Sequence, residues 1–379
     1  MTLTCAIGLM SGTSMDGIDL AMLRTNGENI VERGPSFFVP YDAEFRRRIE
    51  AGLNDAKAIA RREERPGDLA ALERDITAKH TVAVETFLRS GATRWGKSQV
   101  IGFHGQTVLH RPQMGVTVQL GDGESLCRQT RLPVVYDMRA NDMVFGGQGA
   151  PLVPAYHAAL ARSLSGDFRQ KYPMVFVNIG GISNITFVPR DGDPIAFDSG
   201  PGNTLIDQWV SREGGVPLDA DGAIASEGDV IRSVVEAYLD NPFFEKPGPK
   251  SLDRNDFTLA KTQGLELSDG ARTLAAISAE AILKSAEHLP EEPKLWIVCG
   301  GGRKNPHIVS DMRAGARKAG AEVILAEDAG FNGDSMEAEA WAYLAVRSLN
   351  GLPLTFPTTT GCREAVTGGV LVGPGQSPT

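Results

Sequence analysis

The chain has 379 residues, 42% hydrophobic and 22% charged, with a formal net charge of −9. That length carries two ordinary domains, each with its own core, and the acidic balance excludes a nucleic-acid or anionic-membrane surface built on clustered Lys and Arg. Cys5, Cys127, Cys299 and Cys362 lie far apart with no C-x-x-C pair, so neither a disulfide framework nor a structural zinc site is suggested. No basic segment precedes a long apolar stretch at the N-terminus and no apolar run reaches about 18 residues, which reads as a cytoplasmic protein without a membrane partner.

In chain order, residues 5–10 and 18–24 read as strands of a hairpin around the turn Gly12–Gly17, and residues 30–39 as a third strand. Residues 43–53 and 68–90 have helical spacing with many charges. Residues 99–103 form an apolar strand that ends at His104. Residues 117–120 and 125–129 flank Gly121-Asp122-Gly123 as a second hairpin. A strand at 133–136 and a helix at 151–164 follow. The second half repeats the plan: strands at 174–178, 185–188 and 195–197, helices at 204–213, 230–238 and 272–288, a strand at 295–299, a helix at 306–319, a strand at 322–326 and a last helix at 336–349. The Pro- and Gly-bearing tail reads as poorly ordered.

This is a duplicated α/β plan with a cleft between its halves. The expected division is an N-terminal lobe of residues 1–170, completed by the C-terminal helix and tail 350–379, and a C-terminal lobe of residues 171–349, with the crossing of the last helix back to the first lobe as the alternative. Gly91–Ser98 fits the spacing of a P-loop, but a helix precedes it and a strand follows. A P-loop needs the reverse order, so that helix N–H groups face the phosphates.

Two short stretches carry the chemistry. Ser11-Gly12-Thr13-Ser14-Met15-Asp16-Gly17 and Phe197-Asp198-Ser199-Gly200-Pro201-Gly202-Asn203 each follow an apolar run and offer small residues, hydroxyls and one aspartate. Phosphoryl transfer needs a phosphate cradle, a divalent cation and a group that positions or deprotonates the nucleophile. Gly12-Thr13-Ser14 supplies N–H groups and hydroxyls with little bulk, and Asp16 either holds Mg²⁺ through water or orients substrate; the same stretch also reads as a polar hairpin turn. Asp198 reaches a substrate hydroxyl or water, or caps a turn. Gly180-Gly181 suits a second phosphate loop and Gly300-Gly301-Gly302 an adenine or ribose surface, with tight turns or helix–strand contacts as the other reading. His104, Asp137, Arg139 and Asp142 gather at strand ends as a substrate pocket. Glu337 either complements the dipole of the last helix or contacts substrate.

The set Gly8–Asp19, Gly102–Thr107, Gly146–Pro154, Asn178–Asn184 and Phe197–Asn203 resembles the anhydro-N-acetylmuramic acid kinase family, within the sugar kinase/Hsp70/actin ATPase superfamily. The family motifs usually read G-T-S-L-D-G and F-D-T-G-P-G-N, and Met15 and Ser199 are mild departures. The resemblance implies a duplicated ribonuclease H-like, actin-like ATPase fold and a homodimer. It implies a reaction in which water opens the 1,6-anhydro bond of 1,6-anhydro-N-acetylmuramic acid while ATP phosphorylates the freed O6. Asp198 would be the general base, ionised at neutral pH like an unperturbed Asp. Gly12, Thr13, Ser14, Met15, Asp16, Gly17, Ile18 and Asp19 would form the ATP phosphate loop, and His104, Arg139 and Glu337 the sugar pocket. Two other readings are an ordinary sugar kinase without the hydrolytic step and a non-catalytic actin- or Hsp70-like ATPase.

Overall fold

The computed structural model describes residues 2–12, 14–252 and 256–375. They divide into two compact units, one of Met1–Ser163 with Ser335–Thr379 and one of Leu164–Asp334.

The first unit opens with β1 (Thr4–Ser11), β2 (Gly17–Thr25) and β3 (Val31–Pro40), an antiparallel meander. Next come α1 (Ala43–Asp55), α2 (Leu69–Arg89), β4 (Val100–Arg111), β5 (Val116–Leu120), α3 (Gly123–Thr130), β6 (Val134–Tyr136), α4 (Ala140–Val144) and α5 (Pro154–Ser163). The second unit opens the same way, with the meander β7 (Met174–Ile179), β8 (Ile182–Val188) and β9 (Ile195–Pro201). It continues with α6 (Thr204–Gly214), α7 (Arg232–Leu239), α8 (Leu267–Lys284), β10 (Leu295–Cys299), α9 (Pro306–Lys318) and β11 (Glu322–Leu325). The chain then returns to the first unit as α10 (Met336–Leu349), α11 (Pro357–Thr360) and β12 (Val370–Val372).

The sheets share one topology. The second runs β11-β10-β7-β8-β9, and the first runs β12-β6-β4-β1-β2-β3 with β5 off β4. In each, three antiparallel strands meet two parallel ones across the first strand of the meander. This strand order is the ribonuclease H-like plan, present twice. Strands covered on both faces are continuously apolar, as in β10, where all of Leu-Trp-Ile-Val-Cys is buried.

The packing of α10 explains why the chain returns. A Cβ on Gly8 would lie 1.7 Å from the Ala338 carbonyl oxygen, and one on Gly102 would lie 2.0 Å from that of Trp341. Both glycines admit the helix backbone directly onto β1 and β4, against its alanine-rich face. Of the two expected placements for residues 336–349, in the C-terminal lobe or crossed back to the first, the helix takes the second because of this contact.

Four local readings change. The second hairpin is replaced by α3, because the Asp122 side chain accepts from the Ser125 amide at 2.9 Å and starts a helix. β4 extends past residue 103 to Arg111, with Gly105 at φ 73°. Asp198 lies inside β9 and His104 inside β4, so neither follows its strand. The tail is ordered through Thr359 and Thr360 in α11 and through β12 paired to β6. Gly91–Ser98 lies between α2 and β4, in the order a P-loop excludes.

Candidate functional site

In the first unit the turn between β1 and β2 stands on a buried polar clamp. The Ser11 hydroxyl donates to Gln106 Oε1 at 2.6 Å and lies 2.9 Å from the Tyr41 hydroxyl, while Gln106 Nε2 donates to the Gly12 carbonyl at 3.0 Å. Met15 has φ 54°, and its amide closes the turn on the Gly12 carbonyl at 3.2 Å. Ser14 and Asp16 are exposed, and the Ser14 hydroxyl donates to Asp16 Oδ1 at 2.6 Å. Thr13 lies outside the described residues. Gly17 is glycine for a packing reason, since a Cβ there would meet the Val39 carbonyl oxygen at 2.4 Å. The Ile18 side chain is fully buried, so it offers a ligand only backbone, and Asp19 sits in the ladder opposite Met10 and Phe38.

His104, Arg139 and Glu337 come together in the same unit. Arg139 Nη2 lies 3.1 Å from His104 Nε2, and Nη1 donates to the Gly149 carbonyl at 2.8 Å. The guanidinium is a donor only, so Nε2 accepts and the ring proton sits on Nδ1. That atom is buried, and the Gly105 and Ser11 backbone lies against the ring. Burial, reinforced by the Arg139 charge, holds the ring well below its usual pKa, so it is neutral at working pH. Burial also lowers Arg139 to about 10, opposed by Glu337 and Asp142, which marks Glu337 as its electrostatic neighbour. Trp341 completes the group, its ring 4.4 Å from His104 and 5.2 Å from the Arg139 guanidinium carbon. The Gly146–Gly149 loop is held by buried Asp142, which accepts from the Gly149 amide and from the Thr355 and Thr360 hydroxyls, each at 2.6 Å. Sequence reasoning missed Trp341, although its spacing of i+4 from Glu337 puts both on one helix face. It also assigned no role to Gln106 or Tyr41.

In the second unit Asp198 stands opposite Asn184 on β8. Its amide donates to the Lys250 carbonyl at 3.0 Å, and its Oδ2 accepts from the Leu252 amide at 2.7 Å. Burial raises its pKa to about 6, against the pull of the Leu252 amide. The carboxylate is therefore mostly ionised at neutral pH, yet far more basic than the unperturbed Asp expected from sequence.

Gly180 and Gly181 join β7 to β8 and pack on the start of α6. Their carbonyls accept from the amides of Asn203 at 2.8 Å, Gly202 at 3.0 Å and Thr204 at 3.2 Å, so those amides are already engaged. Gly300 has φ 75°, and a Cβ there would lie 2.2 Å from Asn178 Oδ1; one on Gly302 would lie 2.2 Å from Ile179 Cγ2. A Cβ on Gly301 would meet nothing nearer than Asn203 Nδ2 at 3.8 Å. Of the triple glycine, Gly301 therefore presents open backbone and its neighbours serve packing. These loops gather at the carboxyl ends of β7 and β10, where sheets of this class bind ligands.

An exposed carboxylate beside a hydroxyl, as at Ser14 and Asp16, repels a bare polyphosphate and accepts one neutralised by a divalent cation. Among the described residues no group of three or more His, Cys, Asp or Glu forms a metal cage, and no helix is long and apolar enough to cross a membrane.

The sequence model of anhydro-N-acetylmuramic acid kinases matches residues 4–374. The chain is 58% identical over 369 residues to an anhydro-N-acetylmuramic acid kinase of Brucella canis, covering 97% of this chain and 98% of the relative. It is 57% identical over 367 residues to one of Agrobacterium fabrum, with the same 97% and 98% coverage. Among solved structures it is similar to a ROK family glucokinase from Streptomyces griseus in complex with glucose and AMPPNP. That match has a TM-score of 0.41 and 14% identity, over 90% of this chain and 97% of the other.

Proposed function

This chain belongs to the anhydro-N-acetylmuramic acid kinase family, and from that premise we propose how its residues perform the reaction. The chain is an ATP-dependent kinase of cell-wall recycling acting on 1,6-anhydro-N-acetylmuramic acid. Asp198 takes a proton from a water whose oxygen attacks C1. The C1–O6 bond breaks, O6 takes the γ-phosphoryl group, and N-acetylmuramic acid 6-phosphate and ADP leave. His104, Arg139 and Glu337 hold the sugar. His104 stays neutral with its proton on Nδ1, and Arg139 keeps that tautomer in place. Gly12–Asp16 hold the phosphates, and Gly180, Gly181 and Gly301 line the nucleotide's path. Asp16 would hold a Mg²⁺ ion that accompanies ATP, and the ion would supply positive charge against the transferring phosphoryl group. The protein works in the cytoplasm as a homodimer, which molar mass in solution tests.

One observation supports this reading most: a carboxylate anchored by one oxygen, with its pKa raised to about 6. A general base works best with a pKa near the working pH. The near full-length match over residues 4–374 disfavours an ordinary sugar kinase and an actin- or Hsp70-like ATPase. The test is turnover of ATP with 1,6-anhydro-N-acetylmuramic acid beside glucose and N-acetylglucosamine. Product only from the first supports the assignment; equal rates on glucose overturn it.

A further inference from the structure

Residues 246–252 belong to none of the motifs, yet their backbone brackets Asp198. β9 is the edge strand of its sheet, and this segment covers the edge. The Asp198 amide donates to the Lys250 carbonyl at 3.0 Å, and two residues on the Leu252 amide donates to Asp198 Oδ2 at 2.7 Å. The segment is tied down by the Lys250 side chain. Its ammonium donates to the Phe243 carbonyl at 3.1 Å and lies 4.5 Å from the centre of the Phe243 ring and 5.5 Å from that of Phe197, the residue before Asp198. Gly248 lets the segment press onto the same ring, since a Cβ there would meet Phe197 Cδ1 at 2.5 Å. A lysine directed at aromatic faces and a carbonyl is an anchor, because that geometry desolvates the cation for no surface benefit.

We propose that Lys250 is a positioning residue for the reaction: by clamping residues 248–252 against Phe197 and Phe243, it holds the Leu252 amide on Asp198 Oδ2, fixes the carboxylate's orientation and directs Oδ1 to the attacking water. The inference rests on the reading of Asp198 as general base. Asp198 is flanked by Asn184 across the ladder and by the Lys250 segment along the edge; Lys250 itself has Glu245, Lys246, Lys284 and Glu287 as charged neighbours. Burial is the larger influence on Asp198 and the Leu252 amide the smaller. Loosening the segment admits water, so the carboxylate becomes more acidic although it loses a donor.

The experiment measures kcat, both KM values and the pH dependence of kcat/KM for the full chain and for Asp198→Asn, Lys250→Met and Lys250→Arg. Lys250→Met is expected to lose roughly 10–100-fold in kcat, the scale of a misplaced reacting group. Both KM values should stay within about threefold, and the acidic limb should move to lower pH than in the unaltered chain. Lys250→Arg, which keeps the cation over the rings, should recover most of kcat. A Lys250→Met enzyme with unchanged kcat, a limb that stays in place or rises, or an Arg variant no better than the Met variant each overturn the proposal. Should Lys250→Met fail to fold, Gly248→Ala, which displaces the same segment from Phe197, must show the same lowered limb. Near-normal turnover by Asp198→Asn instead removes the base assignment, while an inactive Asp198→Asn beside a normal Lys250→Met removes the positioning role alone.

Discussion

Replacing Asp198 by Asn should cost activity and add stability at once. Burial raises the Asp198 carboxyl from 3.8 to about 6, so folding favours the protonated form. Ionising it in the folded state costs up to about 3 kcal/mol, from roughly two pKa units at ~1.36 kcal/mol each, and less to the extent that solvent reaches this partly exposed residue. The stability contributed by the protonated carboxyl is fully present below its unfolded value and is lost as pH rises through about 6. Asn carries no charge and still accepts from the Leu252 amide. The variant should therefore melt about 5–10 °C higher at neutral pH, with the gain shrinking as pH falls from about 6 toward 3.8. Turnover should fall roughly 10²–10⁴-fold with ATP and sugar still bound, the usual effect of removing a general base. Calorimetry across that pH range, paired with a coupled ADP assay, reads both effects. A variant that melts lower at every pH refutes the burial argument, and near-normal turnover removes Asp198 from the reaction.

The first unit offers a contrast between packing and binding. Gly102→Ala places a methyl group 2.0 Å from the Trp341 carbonyl oxygen and should destabilise by about 3 kcal/mol or more in urea titrations; an unchanged midpoint would contradict the α10 packing. Gly301→Ala in the second unit meets nothing nearer than 3.8 Å, so its urea midpoint should hold while KM for ATP rises several-fold. Arg139→Met removes the donor to His104 Nε2 at 3.1 Å and frees the imidazole tautomer. It should lower kcat/KM for the sugar about 10–100-fold, the value of a lost charged hydrogen bond, with KM for ATP unchanged; equal losses for both substrates would argue against a sugar role.

Most of the fold was legible because each unit writes the same signal: an apolar run, a glycine turn and two more strands, then helices with one charged face. The errors have local causes. At Asp122 a capping carboxylate outweighed a Gly-Asp-Gly turn signal, and at β4 a positive φ at Gly105 let the strand continue where glycine suggested its end. The tail looked unstructured because a three-residue strand gains its order from pairing with β6, which no local pattern encodes. In the candidate sites, glycines and charged residues announced themselves by type. Trp341, Gln106, Tyr41 and Lys250 did not, since each acts through contacts to residues far along the chain. The raised pKa of Asp198 was hidden for the same reason: burial is a property of the fold, and Leu252, whose amide meets the carboxylate, is 54 positions away.

The most direct test of water activation by this kinase is the fate of oxygen-18 from labelled water during a single turnover with ATP and 1,6-anhydro-N-acetylmuramic acid, quenched before the anomeric hydroxyl exchanges. Water attack predicts one labelled oxygen at C1 and an unlabelled bridging oxygen between C6 and phosphorus. Product without label at C1 would contradict it.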